Sequence, residues 1–397
     1  MLKILFSSSL VISLLGAVSI DELVNDSFEK NYDIKSLEKS IEIANHQIAI
    51  AKNWENPMIA FKTNEIMFDK PLSNQKEYGV ELSQAIPIGR KLDIEENIAK
   101  NDRNIQIYSL EDKKLELESK IYEYSYNILI FEKRYELLNT YQKNLKKLEN
   151  LNALLQKYEK ATLNEVIDSQ ISSLDLKLEQ ENLKNSIDNL YLNLEQITYK
   201  KVDSITQNLD IKRVDKEKAT SNLSSHPQVK TLEENSTKYS QMASLEDAKK
   251  FSSMTLSLEY MQNKEQDYGN VTVAIPLPIY KTENVNRIKA KLNANETNDK
   301  LDSLLHNLSL ETQIYVNNLN QNVRNYEVIQ KEIIPLKQKI QKNIENYNSY
   351  EKSNPQDSIK NLNELITYEL KALDEVQKYY ENYSKLSNEV LNWAVKF

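Results

Sequence analysis

One long stretch of the chain, from Lys91 to Tyr158, contains neither proline nor glycine. Nothing in it breaks a helix over a length that would reach about 100 Å as an α-helix. Its apolar positions recur at alternating spacings of three and four, which is typical of a coiled-coil seam. The seam positions are Leu138, Tyr141, Leu145, Leu148, Asn152 and Leu155. The stretch therefore predicts a single very long helix that packs along one stripe.

Two short stretches, Glu77–Lys91 and Asp267–Lys281, differ from this helical pattern. The 397 residues include only 4 glycines and 8 prolines, and Gly79, Gly89 and Gly269 flank these two stretches. In each, polar and apolar residues alternate, which predicts a half-buried strand. Prolines follow and cannot donate to a sheet, so they predict the end of each strand and a corner into the next helix. The corner prolines are Pro87, Pro276 and Pro278.

The order of predicted elements repeats along the chain. A first repeat at 20–200 contains a helix, a β-hairpin at 58–86 and a pair of long helices. A second repeat at 226–397 contains the same series, with its hairpin at 252–276. The segment 201–225 loses the helical period and predicts a connection with at most a short helix. The sequence thus predicts a duplicated unit.

The bounds of the helices follow from periodicity and from helix-breaking residues. The first helix is predicted without a break from Ile20 to Trp54, and Pro335 predicts a kink in the third long helix. The other predicted helices are Lys91–Tyr158, Leu163–Tyr199, Lys281–Tyr350 and a last helix from about Ile359 to Trp393.

The first residues have the order of an export signal. A basic start, an apolar stretch from Ile4 to Leu15 and then small residues predict a signal peptide at 1–19, cleaved after Ala17 or Ser19. The alternative is a membrane anchor, which needs about 20 apolar residues. Here Asp21 and Glu22 end the apolar stretch too early for that. No later stretch is apolar enough for a spanning helix, so a membrane location would require a β-barrel.

The sequence lacks the residues that several classes of function require. The net charge of -8 argues against a nucleic-acid partner, and the absence of cysteine excludes disulfides and a lipid-modified N-terminal cysteine. Glycines are too few for a phosphate-binding loop. His46, His226 and His306 stand alone, without a second ligand at metal spacing. We therefore expect no cofactor, no metal site and no enzyme activity.

Two corner motifs carry a resemblance to a known family. They are Ser83-Gln84-Ala85-Ile86-Pro87-Ile88-Gly89-Arg90-Lys91 and Val273-Ala274-Ile275-Pro276-Leu277-Pro278-Ile279, and Ile333-Ile334-Pro335-Leu336 with the later Tyr350 adds a third match. With the duplicated order of elements, the sequence resembles the TolC family of outer-membrane efflux proteins, closest to its heavy-metal and drug efflux branch. The chain departs from that family in lacking the lipid-anchor cysteine and the glycines of the helix-tip turns.

The resemblance implies a mainly α fold with a small β part. Long antiparallel coiled-coil helices would form a periplasmic α-barrel, and four strands per chain would contribute to a trimeric 12-stranded transmembrane β-barrel. It implies a passive channel in the outer membrane of a Gram-negative bacterium, part of a tripartite efflux system for drugs or metal ions. Its implied partners are two further copies of the chain, a periplasmic adaptor, an inner-membrane pump and outer-membrane lipid.

Alternation within the strands assigns their faces. Polar residues would face a water-filled lumen: Lys62, Asn64, Glu81, Ser83, Ser257, Glu259 and Thr272. Apolar residues would face lipid: Ile59, Phe61, Val80, Leu82, Leu256, Leu258, Val271 and Val273.

Four acids near the predicted helix tips are candidate residues of a periplasmic gate. In a trimer they would form rings that select cations; they are Glu165, Asp168, Asp357 and Glu364. The resemblance favours Glu364, because family members carry gate acids on the helix that matches Leu362–Thr367. The competing interpretation is an ordinary solvated helix face.

Two other classes of protein remain open from the residues alone. The first is an exported soluble coiled-coil adaptor or structural protein of the periplasm, in which the strands form a small lipoyl-like or capping domain. The second, an enzyme, lacks any visible catalytic constellation. The apolar strand faces discriminate between a channel and an adaptor, because a soluble sheet has to cover them.

Overall fold

A computed structural model describes residues 17–64, 66–69, 71, 76–251, 253–348 and 355–389. The helices are α1 (Ile20–Lys30), α2 (Tyr32–Ala51), α3 (Lys91–Lys157), α4 (Leu163–Thr198), α5 (Lys216–Thr220), α6 (Pro227–Lys249), α7 (Thr282–Val328), α8 (Ile334–Asn348) and α9 (Pro355–Glu389). The strands are β1 (Met58–Asn64), β2 (Glu77–Pro87), β3 (Ser253–Asn263) and β4 (Tyr268–Ala274). The predicted mainly α class with a small β part is confirmed.

The four strands form one antiparallel sheet in the order β1-β2-β3-β4. Both predicted hairpins are present, with Phe61 opposite Val80 and Leu258 opposite Val271. Pairing of β2 with β3 joins the hairpins, and Leu82 lies opposite Leu258 there. The apolar residues of all four strands are thereby in register.

The predicted first helix is wrong in one respect, because it breaks at Asn31. Its side-chain Oδ1 accepts hydrogen bonds from the amides of Asp33 (2.8 Å) and Ile34 (3.3 Å), which caps the start of α2. The side-chain amide donates to the carbonyl of Ile197 at 3.0 Å. Asn31 has an extended backbone and is buried. One polar side chain thus ends α1, starts α2 and ties both to the end of α4.

A π-helical turn, Ile329–Ile333, lies where the sequence predicts a kink at Pro335. The amide of Ile334 donates to the carbonyl of Ile329, five residues earlier. Proline has no amide hydrogen and its ring crowds the carbonyl four residues before it, so an ordinary α-helical turn is unfavourable there. The wider turn accommodates Pro335, and the chain continues as α8.

The predicted break between the two long helices of the first half is confirmed. Thr162 caps α4 in a capping box: its hydroxyl accepts from the amide of Glu165, and the carboxylate of Glu165 accepts from the amide of Thr162. Glu159 has a left-handed backbone with φ of 55°. The corresponding turn of the second half, at 349–354, lies outside the described residues, as does most of the predicted signal peptide.

The chain divides into two compact units. One comprises Met1–Lys35, Lys113–His226 and Asn307–Phe397, as far as they are described, and the other comprises Ser36–Asp112 and Pro227–His306. In the first, α3 and α4 pack around Leu138, Leu145, Leu176 and Leu183, with Phe131, Tyr135, Tyr141, Ile187 and Leu370 against them. The second contains the sheet.

Candidate functional site

The sheet has two chemically different faces. One carries all eight residues that the sequence assigns to lipid, because their register pairs place them on the same side. Along β1–β4 this face holds no charged residue; its polar members are Thr63, Tyr78, Gln84, Tyr260 and Gln262. Phe61 is 86% exposed and Val271 is 71% exposed. Among the residues that the structure describes, none covers these two side chains.

The opposite face carries every charged residue of β1–β4. The Lys62 ammonium group contacts the carboxylate of Glu81 and lies 3.3 Å from that of Glu259. Asn270 donates to Glu259 at 2.9 Å. Glu81 and Glu259 are register partners on neighbouring strands, so Lys62 reduces the repulsion between two directly opposed carboxylates. These residues form a network across all four strands.

A third carboxylate on this face, that of Glu77, accepts hydrogen bonds from side chains on the three other strands. The side-chain amides of Asn64 and Asn263 donate to it at 2.9 and 2.7 Å, and the Tyr268 hydroxyl donates at 3.1 Å. All three donors are neutral, so the negative charge of Glu77 is hydrogen-bonded but not cancelled. Alternation predicts strands at Asn64, Glu77 and Tyr268, whereas the sequence predicts a loop at Asn263, where β3 in fact continues. Only the register brings these residues together.

The predicted tip acids have different surroundings. Glu165 belongs to the capping box, and hydrogen bonds from the amide and hydroxyl of Thr162 lower the pKa of its carboxyl. Glu364 pairs with Lys337, which extends from α8 to α9. Asp168 is exposed on α4, and Asp357 is exposed in the first turn of α9. Glu364 is therefore a paired charge, which the sequence did not indicate.

Asn152 links the two regions that contain the tip acids. Its side-chain amide donates to the carbonyl of Glu165 at 3.3 Å, and its Oδ1 accepts from Gln356 at 2.6 Å. The helix period placed Asn152 in the apolar seam. Its buried amide instead connects α3 with the starts of α4 and α9, which brings Glu165 and the neighbourhood of Asp357 together.

A cluster of buried tyrosines holds the segment at 201–215. The hydroxyl of Tyr380 donates to the carbonyl of Asp210 at 2.9 Å, and that of Tyr379 donates to the carbonyl of Lys212 at 2.9 Å. Rings of Tyr126 and Tyr380 stack with centroids 3.7 Å apart. Burial raises the pKa of Tyr379 to about 12, so the hydroxyl stays protonated and donates at any physiological pH. These tyrosines have a structural role.

The three histidines have different surroundings. His226 is buried, with Nε2 3.0 Å from the carbonyl oxygen of Asn388, while His46 and His306 are exposed. Within the part of the chain that the structure describes, no three potential ligands lie close enough to hold a metal ion. The described helices also include none that is long and apolar enough to cross a membrane.

No protein-family model matches the sequence, and no curated protein matches it either. Solved structures do match. The Campylobacter jejuni CmeC outer membrane channel has a TM-score of 0.73 at 14% identity, over 93% of this chain and 85% of that one. The open state of the Neisseria gonorrhoeae MtrE outer membrane channel has a TM-score of 0.74 at 15% identity, over 95% and 92%.

A third match is the Vibrio cholerae outer membrane protein VceC, with a TM-score of 0.72 at 11% identity, over 92% of this chain and 96% of that one. The likeness thus spans almost the entire length of each protein. The chain has the fold of the bacterial outer-membrane channels, a TolC-like fold of long helices with a four-stranded antiparallel sheet.

Proposed function

We propose that this protein is the outer-membrane channel component of a tripartite efflux system, a passive conduit for small molecules such as drugs or metal ions. The observation that carries the proposal is the division of charge across the sheet. One exposed face is apolar and uncharged over four strands, and the other carries Lys62, Glu77, Glu81 and Glu259. A barrel wall between lipid and a water-filled lumen requires this division.

Aromatic residues at the two ends of the sheet support the same location. Trp54, Phe251 and Tyr280 lie next to strand ends that connect to helices, and they are 56%, 60% and 87% exposed. Tyr78 and Tyr260 lie near the other end, on the apolar face. Aromatic girdles of this kind border the apolar band of outer-membrane barrels. The central strands, at 11 residues each, have about the length needed to cross the membrane at a tilt.

The closed barrel requires other copies of the chain. Four strands are too few for a barrel, and within the described sheet β1 and β4 each pair on one side only. Apolar stripes on the helices are also uncovered: on α4, Ile167, Ile171, Leu174 and Leu178, and on α7, Val285, Ile288 and Leu292. A homotrimer with a 12-stranded barrel would pair the edges and cover the stripes, because the sequence places them at coiled-coil spacing.

The remaining parts of the proposal follow from the resemblance and the fold. The helices would lie in the periplasm, where an adaptor and an inner-membrane pump would join the channel. The two halves, 20–200 and 226–397, would be duplicated units joined by 201–225, and 1–19 would be removed as a signal peptide. The eight apolar strand residues would contact lipid, with Pro87, Pro276 and Pro278 at the corners below them.

The decisive experiment is the molar mass of the particle extracted from bacterial membranes, measured by light scattering with detergent correction. We expect a detergent-dependent trimer from the outer-membrane fraction. A monomer or dimer released from the periplasm without detergent would contradict the channel and favour the soluble adaptor. Val271→Asp, which charges the apolar face, should abolish the trimer, while Thr272→Asp, at the adjacent exposed position on the other face, should preserve it.

Glu364 would act as a gate residue at the periplasmic end, with Glu165, Asp168 and Asp357 as further candidates. Its pairing with Lys337 joins α8 to α9, so removing the acid would also loosen this helix pair. Glu364→Gln is therefore compared with Lys337→Gln, which breaks the same pair and leaves the acid. Cation selectivity and block by divalent cations should fall in the first variant and rise in the second. Identical values in both variants would exclude a gating charge at Glu364.

A further inference from the structure

We propose that Lys62 limits the cation selectivity of the channel by cancelling part of the negative charge on the lumenal wall. The inference rests on the proposed function, because it requires the polar face of the sheet to line a pore. It concerns the wall of the β-barrel and not the helix tips, and it assigns one residue a control over the degree of cation selectivity.

The charges on this face are few and unequal. Along β1–β4, Lys62 is the one basic residue on the polar face, against Glu77, Glu81 and Glu259. Each chain thus contributes a net charge of two negatives, and loss of Lys62 would make it three. The side chain of Lys62 is 41% exposed, so its charge is felt by ions in the lumen as well as by its partners.

The position of Lys62 explains how one lysine serves two acids. Its register partner on β2 is Gly79, which has no side chain, and Glu81 lies two residues further along the same face. Glu81 faces Glu259 on β3, so the two carboxylates converge. Their side chains are 17% and 16% exposed, which shows that the lysine and the neighbouring strands cover them. Removing Lys62 would uncover both.

Glu77 provides the comparison within the same wall. Three neutral donors hold its carboxylate, and the described contacts of that carboxylate include no cation. Within β1–β4 its negative charge therefore has no basic partner. Lys62 offsets one of the two charges of Glu81 and Glu259, whereas nothing on the strands offsets Glu77. Lys62 is therefore the one strand residue whose removal makes the wall more negative.

The size of the effect follows from the fixed charge. In three chains the wall would carry six net negative charges, and Lys62→Gln would increase them to nine. In dilute salt the ratio of cations to anions in a charged pore grows about as the square of the fixed charge, which gives roughly a twofold rise in the permeability ratio of K⁺ to Cl⁻. The effect should shrink at high salt, where charges are screened within about 3 Å.

The test is the reversal potential of the full mature protein in planar lipid bilayers under a tenfold KCl gradient. We expect about a twofold rise in the permeability ratio for Lys62→Gln, and the wild-type ratio for Lys62→Arg. Lys201→Gln, which removes an exposed lysine from the connecting segment, serves as the matched control for loss of a positive charge. An unchanged or lower ratio in Lys62→Gln would overturn the inference.

If the opposed Glu81 and Glu259 prevent assembly of Lys62→Gln, the same substitution can be tested in a second variant protein. With Glu81→Gln and Glu259→Gln both present, Lys62→Gln again removes one charge but leaves no opposed carboxylates, and the ratio should still rise. The bilayer measurement distinguishes failure of this inference from failure of the proposed function. A conducting trimer without a change in ratio contradicts the inference alone, whereas a wild-type protein that forms no conducting trimer contradicts the proposed function.

Discussion

Met261 lies across Gly79 so closely that a β-carbon on Gly79 would stand 2.5 Å from the sulfur of Met261 and 2.1 Å from the carbonyl oxygen of Tyr260. Met261 is fully buried, although it lies on the polar face of the sheet. The contact between β2 and β3, which joins the two hairpins, thus depends on a residue without a side chain.

Gly79→Ala should therefore destabilise the sheet. The added methyl group meets a backbone carbonyl, which cannot rotate away, so the strands must separate at a cost of about 1–3 kcal/mol. Gly269→Ala is the matched control, because a β-carbon there lies 3.4 Å from its nearest neighbour, the carbonyl of Glu259. Thermal unfolding in detergent should show a lower midpoint for Gly79→Ala only. Equal midpoints for both variants would refute the role of the contact.

Asn31→Ala should destabilise the junction of α1, α2 and α4. It removes the cap of α2, which contributes about 1 kcal/mol, and it leaves the carbonyl of Ile197 without its side-chain donor, at a further cost of about 1–3 kcal/mol if buried. Asn31→Ser retains a capping oxygen but cannot reach Ile197, so its loss should be intermediate. Chemical denaturation of the three proteins measures the order, and a serine variant no better than alanine would contradict the capping role.

Periodicity and helix breakers predicted most of the fold. Long tracts without glycine or proline gave α3 and α4 to within a residue or two, because intrinsic propensity and tertiary packing agree there. The break at Asn31 escaped prediction, since an apolar period continues across it and the cause is a long-range hydrogen bond to Ile197. Pro335 predicted a disturbance, but not that a π-helical turn before it would absorb the missing bond.

The candidate site was predictable in its faces and not in its contacts. Strict alternation fixed which strand residues share a face, because side chains point to opposite sides in turn. Pairing of β2 with β3 joins residues almost two hundred positions apart, so the meeting of Glu81 with Glu259 has no local signal. Likewise, nothing in the sequence around Glu364 indicates that Lys337 pairs with it.

Two glutamates on α3, Glu116 and Glu118, should make contributions to folding stability that change with pH in opposite directions. Burial raises the pKa of Glu118, against the hydrogen bond from Tyr122, so its ionised form disfavours folding. Its contribution to stability is complete below the unfolded pKa of about 4.3 and is lost as pH rises through the higher folded pKa. Hydrogen bonds from Lys120 and then Lys113 lower the pKa of Glu116, whose contribution is present above the unfolded pKa and lost as pH falls.

Glu118→Gln should therefore raise the thermal unfolding midpoint at pH 7 and leave it nearly unchanged at pH 4. The amide oxygen of glutamine can still accept from Tyr122, so the hydrogen bond is kept. Glu116→Gln is the control two residues earlier, and it should lower the midpoint at pH 7. Midpoints that move in the same direction in both variants would show that the charge of Glu118 has no cost in the folded protein.

Tyr379→Phe should loosen the connecting segment. The Tyr379 hydroxyl both donates to the carbonyl of Lys212 and accepts from its amide at 3.3 Å, so one oxygen satisfies two backbone groups. Its removal takes one hydrogen bond from each of these backbone groups, at a cost of about 0.5–1.5 kcal/mol per bond. Tyr158→Phe, at a position 70% exposed, is the neutral control. Hydrogen exchange should accelerate in peptides that contain Lys212 for Tyr379→Phe alone. Unchanged exchange there would mean that ring packing, and not the hydroxyl, holds the segment.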